Sequence, residues 1–126
     1  MVNLKEKAIT LLSSTVVSFA ADAATTLYTV PTGKRCVLAK AIVIAGADAG
    51  ATTTMSIGKS TALTDFLGNQ TLSNLDAQYD AVILQPVPNA TPAKQKSYAA
   101  GDIIQANVGS NSGGASNTVM LFGVLY

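Results

Sequence analysis

The sequence predicts an all-β fold, an antiparallel β-sandwich of about eight strands with jelly-roll-like winding. Three observations predict it. The apolar runs are short and rich in Val, Ile, Thr and Tyr, and clusters of Gly, Pro, Asn or Ser separate them at the spacing of a sandwich or barrel. No stretch carries the periodicity of a long helix. Two runs, residues 37–45 and 119–126, are apolar at alternate and intervening positions alike, Lys40 excepted, so each reads as a central strand with one face in the core and the other covered.

Strands are expected at residues 8–12, 15–19, 26–30, 35–45, 52–57, 80–85, 102–108 and 118–126. The first two need a decision, because Lys5 and Lys7 precede the apolar stretch 8–20 and Ala21-Asp22-Ala23 follows it, as in a secretory leader. Glu6 in the basic region and Ser13-Ser14-Thr15 at the centre of the apolar run go against a leader. The segment is therefore expected to be mature structure behind a short N-terminal arm, residues 1–7. Pro31-Thr32-Gly33 should turn the chain into the long run at 35–45, since proline fixes φ and glycine permits a positive one. Between residues 61 and 77 the alternation fades, and 65–75 reads as a long loop with a single helical turn. Residues 86–96 hold three prolines and read as a loop, because proline cannot donate to a ladder. Residues 109–116 are a Gly/Ser/Asn hairpin connection before the last strand. There is no internal repeat, and the 126 residues are expected to form one domain.

Charged residues make up 12% of the chain against roughly 25% in an ordinary soluble domain. Much of the surface must then be Ala, Thr, Ser, Asn and Gly, a composition expected to pack against something. A net charge of +1 sets up no long-range field toward nucleic acid or an anionic membrane, and neither is an expected partner. Lys34-Arg35 and the Lys94/Lys96 pair read as solvated turn residues. No run reaches the roughly 18 apolar residues of a membrane span.

The chain has no histidine and a single cysteine, Cys36, so no intrachain disulfide, cysteine-rich zinc site or Cys–His nucleophile is available. Cys36 lies in an apolar run and reads as a buried, inert thiol. Residues 57–61, Ile-Gly-Lys-Ser-Thr, resemble the end of a phosphate-binding loop, but its first glycine is replaced by Thr53. Asp76 and Asp80 are close enough to share a cation, yet the stretch supplies too few further oxygen ligands and both read as solvated loop acids. The four tyrosines are scattered, with no aromatic stripe for stacking on bases or sugars. No catalytic residue, cofactor or metal is expected, and the protein is not expected to be an enzyme.

Tyr28-Thr-Val-Pro-Thr-Gly-Lys34, followed by the apolar run 37–44 and the Thr-rich run 52–57, resembles the opening of small β-sandwich virion proteins of tailed bacteriophages, in which a VPxGK turn leads into a long central strand. Ala99-Ala-Gly-Asp-Ile-Ile-Gln105, a Gly/Ser/Asn loop and the closing run 119–126 are similar to the family's aGDxI strand and terminal GvxY strand. The resemblance covers about two-thirds of the chain; where members often end in GVEY, Leu125 stands in place of the glutamate. It implies a structural role in the virion, in head decoration, head fibres or tail appendages. One compact domain without a coiled-coil stem or Gly-X-Y shaft favours a capsid cement or decoration protein. Such a protein is made in the host cytoplasm and sits on the capsid surface, bound to the major capsid protein as a homo-oligomer, a dimer or trimer. A tail-appendage or receptor- and carbohydrate-binding module on the same scaffold is the alternative. The expected contact elements are the N-terminal arm, with Met1, Val2, Asn3, Leu4, Lys5 and Lys7, and the proline-rich loop, with Pro86, Pro88, Asn89, Pro92, Lys94 and Lys96.

Overall fold

The computed structural model describes residues 8–86, 90–91 and 94–126, and among them are nine strands and no helix. In chain order these are β1 (Thr10–Ser18), β2 (Ala23–Thr29), β3 (Cys36–Ala45), β4 (Thr54–Lys59), β5 (Ala62–Thr71), β6 (Ala81–Leu84), β7 (Ser97–Tyr98), β8 (Ile103–Gly109) and β9 (Ser116–Leu125). Two antiparallel sheets result. One has the order β1-β9-β3-β6, with β7 paired to β3 near its start; the other is β2-β8-β4-β5. The all-β antiparallel sandwich expected from the sequence is the fold of the chain.

The core lies between the sheets. From the first come Cys36, Leu38, Ala41 and Val43 of β3 with Val119 and Leu121 of β9. From the second come Met55 and Ile57 of β4 with Ile104, Ala106 and Val108 of β8. Each Leu, Ile or Val buried this way contributes about 1.5–3 kcal/mol. One end of the core is closed by the β5–β6 connection: Leu72 and Leu75 are buried, Leu72 N–H donates to Thr53 O (3.0 Å), and Ala49 N–H donates to Leu75 O (2.8 Å).

The expected strands at 8–12 and 15–19 are a single strand, β1, paired along its length with β9. A β-bulge between Leu11 and Ser13 absorbs the break in alternation, so the serines that interrupt the apolar run do not end the strand. The expected loop at 65–75 is also corrected, because most of it belongs to β5, a ten-residue strand. Its sequence contains Asp65, Gly68 and Asn69, poor strand formers, and its pairing with β4 shifts register between Met55 and Ile57 and again between Ile57 and Lys59. Two register shifts erase the two-residue period by which a strand is read from sequence. The two-residue β7 is too short to leave any period.

Two turns position the rest. In Pro31-Thr32-Gly33-Lys34 the Lys34 N–H donates to Pro31 O (3.2 Å), and Gly33 has φ +77°, the positive angle a type II turn requires at its third residue. Ala99-Ala100-Gly101-Asp102 repeats the design: Asp102 N–H donates to Ala99 O (3.0 Å), and Gly101 has φ +84°. These turns, nearly seventy residues apart in sequence, are joined through Val30, whose N–H donates to Asp102 O (3.0 Å) and whose carbonyl accepts from Gly101 N–H (2.9 Å).

Candidate interaction surface

Along β3 and β9, buried residues alternate with half-buried ones, and the half-buried set forms the outer face of the β1-β9-β3-β6 sheet. Register places Ile83, Ile42, Met120 and Ser14 side by side across all four strands. The neighbouring row is Ala81, Ile44, Thr118 and Val16. On the other side lie Lys40, Phe122 and Leu11, and beyond them Val37 beside Val124. These rows are mainly apolar, with Ser18 beside Ser116 at one end and Ser97 beside Val37 at the other, and the exposed members of the face include Val16 (66%), Ile83 (59%) and Leu11 (51%). Within it the Lys40 ammonium lies 5.5 Å from the centre of the Phe122 ring, which compensates part of its lost hydration, and at the β7 end Arg35 is held by Ser97, the partner of Val37. The outer face of the other sheet is different. There Thr26, Gln105, Asn107 and Ala24 share the surface, and Gln105 Nε2 donates to Thr26 Oγ1 (3.2 Å).

At a corner of the apolar face, just before β6, Tyr79 is 79% exposed and has φ +73°, a backbone region that bulky residues seldom occupy. The turn is held by hydrogen bonds: Tyr79 N–H donates to Ala45 O (2.9 Å), Ala45 N–H to Asp80 O (2.7 Å), and Ala77 N–H to Asp80 Oδ2 (2.9 Å). Asp80 is thus a turn-forming residue, while Asp76 is exposed.

A polar network surrounds Asp65. Its Oδ1 accepts from the buried Tyr98 hydroxyl (2.7 Å) and from Lys59 N–H (3.0 Å), and its Oδ2 lies 2.7 Å from Lys96 Nζ. Burial pushes the Asp65 carboxyl up, but the bonds from Lys96, Tyr98 and the Lys59 amide outweigh it and hold the group below its ordinary value. Burial first, then the bond to Asp65, raise the Tyr98 phenol, so it stays protonated and donates. Lys59 Nζ reaches Asp102 Oδ1 (3.1 Å), which explains the Gly58-Lys59 pair without a phosphate. A Cβ on Gly58 would run into the Ala62 carbonyl and Leu63, so the glycine lets the β4–β5 hairpin fold back on itself. These groups are satisfied by one another, and the neighbouring thiol, Cys36, which pairs with Tyr98 across β3 and β7, is buried, which raises it to about 11. Among the described residues no three His, Cys, Asp or Glu side chains converge as metal ligands would.

Of the contacts expected from the sequence, Met1, Val2, Asn3, Leu4, Lys5, Lys7, Pro88, Asn89 and Pro92 lie outside the described residues. Pro86 is half-buried just after β6, Lys94 is exposed, and Lys96 is exposed and also forms an ion pair with Asp65. Arg35 likewise donates from Nε to Ser97 Oγ (3.0 Å). The residues that sequence reasoning did not single out are Leu11, Val16, Ile83 and Tyr79. The two-sided apolar runs at 37–45 and 119–126 were the available signal for the face, whereas Tyr79 left none. Comparison with protein-family models, curated proteins and solved structures finds no match.

Proposed function

We propose that this chain is a non-enzymatic structural protein of a bacteriophage virion, a capsid cement or decoration protein that binds across neighbouring capsomers and stabilises the mature head. The observation that carries the reading is the outer face of the β1-β9-β3-β6 sheet, an apolar surface that folding of the single chain does not require and that burial against other protein explains. The winding supports the same scaffold. With the two-residue β7 set aside, the chain changes sheet at every connection but the β4–β5 hairpin, and the resulting orders β1-β9-β3-β6 and β2-β8-β4-β5 support a jelly-roll reading. The paired turns at Pro31–Gly33 and Ala99–Asp102 are the segments on which the resemblance to phage sandwich proteins rests, and they meet at Val30.

The mechanism is mass action. A protein that binds only the expanded lattice stabilises it by its binding free energy at each copy, and many copies make modest contacts decisive. The partners are the major capsid protein and further copies of the chain, as a dimer or trimer, on the capsid surface after synthesis in the host cytoplasm. The arm 1–7 and the loop 86–96 are the proposed capsid-contacting segments. Tyr79, exposed and held in an unfavourable backbone conformation, favours a second reading, a tail-appendage module that binds a receptor or carbohydrate through an aromatic ring. An electron-microscopy map of purified virions separates the two. Sandwich density at repeated positions on the outer surface of mature heads is expected, and density at the tail alone selects the second reading. Deletion of residues 1–7 should weaken head binding; full affinity without them removes the arm from the contact.

A further inference from the structure

We propose that the outer face of the β1-β9-β3-β6 sheet packs against the same face of a second copy, giving an isologous dimer. This assigns an interface to the homo-oligomer of the proposed function, and rests on that reading only for its place in the virion. Three strands about 4.8 Å apart with outward side chains along roughly 25 Å of each, and the four-residue β6 along about 13 Å, make a face of about 420 Å². That is the size of the largest apolar patch on a typical monomer, about 300–600 Å², which is often a functional one. Two such faces bury about 850 Å² as flat area, and side-chain relief brings the total toward the roughly 1,000 Å² of a specific interface.

Charge selects the second copy as occupant. Among the described residues the face carries no side-chain carboxylate, and its two cations are already engaged, Lys40 by Phe122 and, at the β7 end, Arg35 by Ser97, so it offers a charged partner little to read. A matching surface must be flat, apolar and nearly uncharged. Among the outer sheet faces of this molecule the other is polar, which leaves the apolar face as its own complement. Sheets pack face to face about 10 Å apart at a small angle, and a two-fold axis lets one patch serve both sides. At a net charge of +1 per chain the copies hardly repel.

The test is sedimentation equilibrium of the full chain over about 1–100 µM, where an interface of this size is expected to hold. The wild-type chain should sediment at twice the chain mass. Val16→Lys with Ile83→Lys should sediment as a monomer, its dissociation constant raised at least about tenfold for each lysine that would be buried unpaired. Both side chains are more than half exposed, so circular dichroism and the monomer's melting should be unchanged. Met120→Gln, a change of similar volume, provides a second reading should the lysines impair folding, and should weaken the dimer. Thr26→Lys with Gln105→Lys, on the opposite face, should leave the dimer intact. A wild-type monomer throughout the range, or dimers that survive both the lysine pair and Met120→Gln, overturns the inference. Head binding is scored separately: a wild-type monomer that binds mature heads overturns the dimer and leaves the proposed function, while a face-dependent dimer that binds no heads does the reverse.

Discussion

On β9 the buried Val119 and Leu121 alternate with Thr118, Met120 and Phe122; on β8 the buried Ile104, Ala106 and Val108 alternate with Gln105 and Asn107. The inward sets are equivalent, because both sheets must exclude water from the same core. The outward sets are not. Folding of one chain needs one apolar residue in two, and β8 obeys that minimum with amides outward. β9 and β3 exceed it, and the excess is concentrated on one side of the molecule. Apolar residues that contribute little to the fold of the single chain point to a contact beyond it.

The comparison is broken most forcefully by substituting the two faces of one strand. Leu121→Ala should cost about 2–5 kcal/mol in urea unfolding, since its side chain is fully buried and leaves a cavity. Met120→Ala, one residue away, should cost the dilute monomer well under half of that while weakening self-association. Equal losses in the dilute monomer would mean that the outer face is part of the fold.

Next in size is the network around Asp65. Tyr98→Phe removes a buried hydroxyl from a carboxylate and should cost about 1.5–3 kcal/mol at neutral pH. The carboxyl of Asp65 is held below its ordinary value in the folded chain, so it binds a proton less readily there than in the unfolded chain. Its stabilisation is therefore fully present above the unfolded value, near 3.8, and is lost as pH falls through the folded one. Asp65→Asn should flatten that part of the stability–pH curve, as urea melts between pH 7 and 2 would show. The smallest effect is expected at Ser13, whose Oγ is buried without a hydrogen-bond partner. Ser13→Ala should leave the melting temperature unchanged or raise it, by up to about 1 kcal/mol of stability.

Much of this was legible in the sequence. Strands 35–45, 102–108 and 118–126 announce themselves by β-branched runs between turn residues, and Gly33 marks a turn whose geometry requires it. β1 looks like two strands, 8–12 and 15–19, because Ser13 and Ser14 interrupt the apolar pattern, while a bulge carries the edge strand past them. β5 was hidden because bulges in the β4–β5 hairpin shift its register, and Asp65 looks like a loop acid until Tyr98 and Lys96, more than thirty residues away, fold onto it. The apolar face was half legible: the two-sided runs of β3 and β9 showed it, but Leu11, Val16 and Ile83 join it only through strand register. Tyr79 is set by a backbone angle that no neighbouring residue signals.

Coverage of the outer face of the β1-β9-β3-β6 sheet by a second copy can be read from isoleucine methyl relaxation by a soluble nitroxide. Ile42, Ile44 and Ile83 lie on that face, Ile103 is exposed on the other sheet, and Ile57 and Ile104 are core controls. As protein concentration rises, the methyl of Ile83 should pass from accessible to shielded, with Ile42 and Ile44 following it, while Ile103 stays accessible. An Ile83 methyl that remains as accessible at high concentration as in the dilute monomer would contradict the account.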